Sequence, residues 1–173
     1  MFATIFLPNF FLQAALRHRP ELRAQPVALI DDRAAKAVIL QTNRAAEEAG
    51  VRCGATPSQG LARCLELIVK TRLREQERLL DELLFQFSYT LAPYVEATAP
   101  GLCTVQFTDT RQVESKVRHV IAQLDEIGLA ARAGIAHTAD TSLLAAHLAR
   151  PVLQVGDTQS FLASLPIETL AVV

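Results

Sequence analysis

The stretch from Arg74 to Ala136 leaves this chain few ways to fold. Within Arg74–Leu91, residues Leu79, Leu80, Leu83, Leu84, Phe87 and Leu91 fall on one helical stripe, with Arg78, Asp81, Glu82 and Gln86 opposite. Two runs of strand formers follow, Tyr94–Thr98 and Leu102–Thr108, joined at the turn signal Pro100–Gly101. A second stripe of Val113, Val117, Val120, Ile121, Leu124 and Ile127 opens at Asp109 and Gln112, which have capping-box spacing, and Ala131–Ala136 reads as a strand. One-sided helices must bury their stripe and a hairpin must cover a face. The expectation is an α+β sandwich, a mixed sheet with helices packed on one face.

The flanks extend the pattern. Met1–Pro8 is strand-like, Phe10–Leu16 begins a helix, and Pro26–Asp31 and Lys36–Gln41 read as strands, the first closed by an Asp31–Asp32–Arg33 turn. A helix over Arg44–Ala49 is stopped by Gly50. Thr56, Pro57 and Gln59 give a capping box that starts a helix running to about Cys64, before a strand at Leu67–Lys70. Ser142–Ala149 is a helix, Val152–Val155 a strand and Ser160–Leu165 a last short helix.

With 173 residues, half of them apolar, the chain can build a real core. Its net charge of -1 lacks the basic excess of a domain that grips nucleic acid unaided. Three widely spaced cysteines, Cys53, Cys64 and Cys103, form no disulfide framework and suit buried thiols in a reducing cytoplasm. No leader pattern and no apolar run of ~20 residues is present, so a cytoplasmic location is expected.

Familiar chemistry is scarce. There is no P-loop, CxxC or HExxH. Asp31 and Asp32 are adjacent carboxylates, which read as a solvated turn or, less simply, as Mg²⁺ ligands. His137 and His147 have no evident partner and read as surface or capping residues, and Cys53 beside Arg52 reads as a structural thiol.

Four segments carry a resemblance. Phe6–Phe11 (FLPNFF), Thr42–Pro57 (TNRAAEEAGVRCGATP), Tyr94–Thr110 (YVEATAPGLCTVQFTDT) and Gly134–Pro151 (GIAHTADTSLLAAHLARP) stand in the order and spacing of the Y-family translesion DNA polymerases. The family pattern is Asp-Met-Asp-x-Phe-Phe in the first and an Asp–Glu pair in the third. The resemblance implies a polymerase-palm-like (ferredoxin-like) domain over 1–24 and 72–173 and a fingers-like lobe over 25–71. Thumb and little-finger domains would be absent, the chain stopping at residues 165–170 where the family enters its thumb, either as an excised piece or as a short protein.

The departures from the family are as telling. Phe6 stands at the first acid position, and Gly101 and Leu102 at the paired acids, so none of the three could hold Mg²⁺ for phosphoryl transfer. Gln41, Arg44 and Glu47 replace the triphosphate contacts. Phe10–Phe11 match the aromatic pair, and Arg150–Pro151 matches the Lys-Pro. Arg44, Arg52 and Arg150 are the possible phosphate or DNA contacts, and the basic stretch Arg63, Lys70, Arg72, Arg74 and Arg78 reads as a solvated face. Pro8 at the strand end resembles the ImuB proteins. That resemblance implies no catalysis, no metal and no cofactor, but a scaffold in DNA repair and SOS mutagenesis whose partners are a sliding clamp, an error-prone polymerase and an accessory protein, with weak DNA binding. A degenerate palm used for ligand binding or oligomerisation is the alternative.

Overall fold

The structure, a computed structural model, describes residues 1–33, 35–167 and 169. Residues 168 and 170, in the segment expected to enter a thumb, lie outside the described residues. In chain order the strands are β1 (Phe2–Phe6), β2 (Val27–Ile30), β3 (Ile39–Thr42), β4 (Ile68–Thr71), β5 (Tyr94–Ala99), β6 (Leu102–Gln106), β7 (Arg132–Ala136) and β8 (Val152–Gln154). The helices are α1 (Phe10–Leu16), α2 (Arg44–Glu48), α3 (Pro57–Arg63), α4 (Arg74–Tyr89), α5 (Val113–Glu126), α6 (Ala139–Leu148) and α7 (Thr158–Ala163), with a 3-10 turn at Pro20–Leu22. The chain divides into two compact units, Met1–Pro8 with Leu80–Val173, and Asn9–Leu79.

The first unit is built on a five-stranded mixed sheet in the order β5-β6-β1-β7-β8. The apolar run FATIF makes β1 its centre, antiparallel to both β6 and β7, while β7 and β8 run parallel. Ala3, Thr4 and Ile5 are fully buried. A buried hydroxyl must find a partner. Thr4 Oγ1 lies 2.8 Å from Ser142 Oγ on α6 and 3.1 Å from Thr104 Oγ1 on β6. Helix α6 approaches β7 so closely that a Cβ on Gly134 would lie 2.1 Å from the Ser142 carbonyl oxygen and 2.3 Å from the Ala146 nitrogen.

Several local expectations need correction. On α4 the buried residues are Glu77, Leu80, Leu84 and Ser88, and Leu79 is 45% exposed on the flank of the stripe. The second stripe buries Val113, Val117, Val120, Ile121 and Leu124, but Ile127, beyond the helix end, is 42% exposed. Asp109 and Gln112 form no capping box. Asp109 instead accepts the Arg111 N–H at 2.9 Å and pairs with its guanidinium, and the Gln112 side chain makes no cap from its left-handed φ of 58°. Helix α6 starts three residues early because the Thr138 hydroxyl accepts the Thr141 N–H.

The second unit holds a three-stranded sheet in the order β3-β2-β4, with β2 antiparallel to β3 and parallel to β4. Its capping box forms as the sequence requires: Thr56 Oγ1 accepts the Gln59 N–H at 3.3 Å, and Gln59 Oε1 accepts the Thr56 N–H at 2.9 Å. Val27 and Leu29 pack with Leu12 and Leu16 of α1, whereas Ala28 joins Ile39, Ala46, Val51 and Leu67 in a second cluster. This alternation along β2 places apolar layers on both faces of the sheet. Strand β3 begins at Ile39, three residues later than expected, and Lys36 stays exposed.

The thiols are not uniformly buried. Cys103 is buried, Cys64 half-buried and Cys53 exposed. Among the described residues no helix is long and apolar enough to cross a membrane.

Candidate functional site

The end of β1 gathers three positions that lie up to 96 residues apart in sequence. Phe6, the last residue of β1, pairs with Leu102 on β6 and with Arg132 on β7. The Leu7 N–H donates to the Gly101 carbonyl oxygen at 2.9 Å. Gly101 turns the hairpin with a φ of 75°, a conformation that favours glycine, and its own N–H donates to Asp81 Oδ1 of α4 at 2.8 Å. Phe6, Gly101 and Leu102 are therefore neighbours at one strand end.

The three positions themselves offer a ring, a bare backbone and an aliphatic side chain. The Phe6 ring packs on the His147 imidazole, with centroids 4.3 Å apart and planes inclined by 41°. Burial, reinforced by the Arg132 cation, lowers the His147 pKa and favours the neutral ring. Arg132 Nη1 donates to the His147 carbonyl oxygen at 3.3 Å. His147 is thus a packing partner rather than a surface or capping residue, whereas His137 is exposed. Asp81 and Arg132, the charged residues of this end, escaped the sequence reading. Helical spacing shows only that Asp81 lies off the apolar stripe, not which backbone amide it meets. Burial pushes the nearby Cys103 thiol up to about 11, with Asp81 adding to the shift. Among the described residues no group of three or more His, Cys, Asp or Glu could hold a metal ion.

The aromatic pair belongs to the second unit. Phe10 is 4% exposed, and its ring meets that of Phe11 edge-on at 5.4 Å. The Arg72 guanidinium lies 3.7 Å above the centre of the Phe11 ring. Glu77 holds Arg72 through two bonds of 2.9 and 2.6 Å, and Asp31 lies 3.5 Å from it. Arg72 is accordingly part of a half-buried network, which corrects its assignment to a solvated face. Asp31 is engaged too. It accepts the Arg33 N–H at 3.1 Å and pairs with Arg74 at 2.5 Å, and these contacts lower its pKa, the Arg33 amide contributing most.

The three candidate phosphate contacts fall in different settings. Exposed Arg44 is paired with Glu48 at 2.7 Å. Exposed Arg52 donates to the Glu47 and Val51 carbonyls at 2.9 and 3.3 Å. Both belong to Asn9–Leu79, while Arg150 is exposed in the other unit, beside Pro151. The remaining substituted positions are used internally: Gln41 Oε1 accepts the Leu12 N–H at 2.9 Å, and Thr42 donates to Glu47 Oε1 at 3.2 Å.

Comparison with known proteins adds an independent line. Residues 5–147 match the impB/mucB/samB family. The chain is 26% identical over 175 aligned positions to DNA polymerase IV of Enterobacter sp. (strain 638), covering 93% of the chain and 48% of that protein. It is 21% identical over 170 positions to DNA polymerase IV of Ralstonia nicotianae, with the same coverage. The chain thus spans about half the length of the curated relatives it matches. Among solved structures, the insertion ternary complex of Dbh DNA polymerase superposes with a TM-score of 0.85 at 15% identity, over 97% of this chain and 53% of that one. DinB from Sulfolobus solfataricus gives 0.82 at 15% identity, over 97% and 52%. At this identity the likeness shows the fold, and it is the mixed α+β, palm-like fold expected from the sequence. The relatives' names correct one expectation: the curated relatives are named as DNA polymerases, which overturns the reading of the chain as not an enzyme.

Proposed function

The chain belongs to the impB/mucB/samB family, and from that premise we propose that it acts in DNA damage tolerance as an ImuB-like scaffold, the palm and fingers around which a translesion complex assembles. The observation that carries this reading is the end of β1, where Phe6 and Leu102 pair and the Gly101 carbonyl closes the turn. In this proposal the three residues occupy the positions that hold acids in the family's polymerases, and they supply packing and backbone there. The proposed partners are a sliding clamp, an error-prone polymerase and an accessory protein, met in the cytoplasm, with primer-template DNA as a weakly held ligand. The polymerases named among the relatives support the DNA partner.

DNA contact is proposed for Arg44, Arg52 and Arg150. Each phosphate neutralised by a cation contributes about -0.9 to the slope of log affinity against log salt, so each of these arginines that meets a phosphate adds about one unit. The measurement is primer-template binding by the purified chain at a series of salt concentrations. Replacing Arg150 by Ala is expected to make the slope shallower by about one unit. A slope unchanged in Arg44→Ala, Arg52→Ala and Arg150→Ala alike, or no binding at all, overturns the assignment.

A further inference from the structure

Far from the Phe6 end, the same sheet carries a small hollow that the reading above leaves unused. The strand register sets Tyr94, Gln106 and Phe2 side by side across β5, β6 and β1, with Glu96, Thr104 and Thr4 as the next row. Residues two apart on a strand share a face, so both rows point to one side of the sheet. Phe2, Tyr94, Glu96, Thr104 and Gln106 border a hollow of about 250 Å³. Tyr94 is 60% exposed although it is a large aromatic residue. Glu96 is the hollow's charged residue, and among the described residues it has no ion-pair partner.

The strand that carries Tyr94 and Glu96 is also an edge. β5 is bonded to β6 on one side and is terminal in the sheet on the other. An unpaired edge is a template for an added strand. A register shift between Ala97 and Ala99 interrupts the ladder, which leaves Tyr94–Ala97 as the regular portion. A carboxylate beside an exposed aromatic ring favours a cationic side chain, which can pair with the one and lie over the other. The same carboxylate repels a nucleic-acid backbone. In a second copy of the chain it would bring another Glu96 to the shared ribbon, and like charges on paired strands are unfavourable.

We propose that the β5 edge receives an extended segment of a partner protein, and that an arginine or lysine of that segment enters the hollow between Tyr94 and Glu96. The site is independent of the DNA contacts assigned above. It selects its partner by one cation at a fixed position of an added strand.

The test is selection of extended heptapeptides from a randomised display library on the purified full chain and on Glu96→Lys, whose mutated side chain is exposed and whose fold is checked by circular dichroism. Peptides enriched on the native chain are expected to share Arg or Lys at one position, and those enriched on Glu96→Lys to carry Asp or Glu there. Binding of a selected peptide should slow amide exchange over Tyr94–Ala97, and Tyr94→Ala should weaken it by about threefold to tenfold. Failure to enrich, enrichment without a shared cation, or selection indifferent to Glu96→Lys overturns the proposal. So does displacement of the peptide by oligothymidine, or protection of β5 by self-association without peptide.

Discussion

Phe6 and Leu102 sit opposite each other on β1 and β6, close enough for two introduced carboxylates to share a cation. Paired hard oxygens are what divalent metals require. The double variant Phe6→Asp with Leu102→Glu is expected to bind Mn²⁺ at least about tenfold more tightly than the unchanged chain, measured by electron paramagnetic resonance with circular dichroism confirming the fold. Unchanged Mn²⁺ affinity in a folded variant would remove these residues from the proposed acid positions. Asp31 gives a second residue-scale prediction. Its pKa is held below the usual carboxylate value, so the stability it contributes is present above the unfolded-state pKa of about 4 and is lost as pH falls through the lower folded value. Urea unfolding should therefore show Asp31→Asn less stable than the native chain at neutral pH, with the gap closing as the pH falls below the unfolded-state value. Phe6, Gly101 and Leu102 were singled out by the resemblance of their segments to the family's motifs, whereas that they are neighbours is read from the strand register. The Arg72 guanidinium over the Phe11 ring was not legible, because nothing local in a run of basic residues tells which one folds back onto a ring 61 positions earlier.

Element boundaries depended on whether the signal was local. Thr56 and Gln59 form their capping box with both reciprocal bonds in place. Asp109 and Gln112 have the same spacing, but the Arg111 guanidinium captures Asp109 and the helix starts without a side-chain cap. A three-residue rule cannot see that competitor. The buried line of α4 shows the same limit from the packing side, since Leu79 belongs to the stripe by periodicity yet is 45% exposed. Gly134 is the tightest point between elements. A methyl group there would sit 2.1 Å from the Ser142 carbonyl oxygen and force α6 off β7. Gly134→Ala should cost about 3 kcal/mol or more, as overpacking of a rigid contact does, read from the shift of the urea midpoint. A midpoint unchanged from the native chain would show that α6 yields freely.

At the scale of the whole molecule, the α+β class followed from two amphipathic helices flanking a hairpin, and family membership rests on residues 5–147. The functional level was less legible. The departures at Phe6, Gly101 and Leu102 suggested a chain without catalysis, but the curated relatives are named as polymerases. Overall charge bears on the proposed role in a different way: a net charge of -1 lacks the basic excess behind a strong sequence-independent grip on phosphates, so DNA contact by these 173 residues is expected to be weak, local or shared with another domain or partner. The most direct measurement is affinity capture of the tagged full-length protein from cells before and after DNA damage, with the retained proteins identified by mass spectrometry. A scaffold of a translesion complex should retain the sliding clamp and an error-prone polymerase after damage. Recovery of neither, from cells in which both are present, would contradict it.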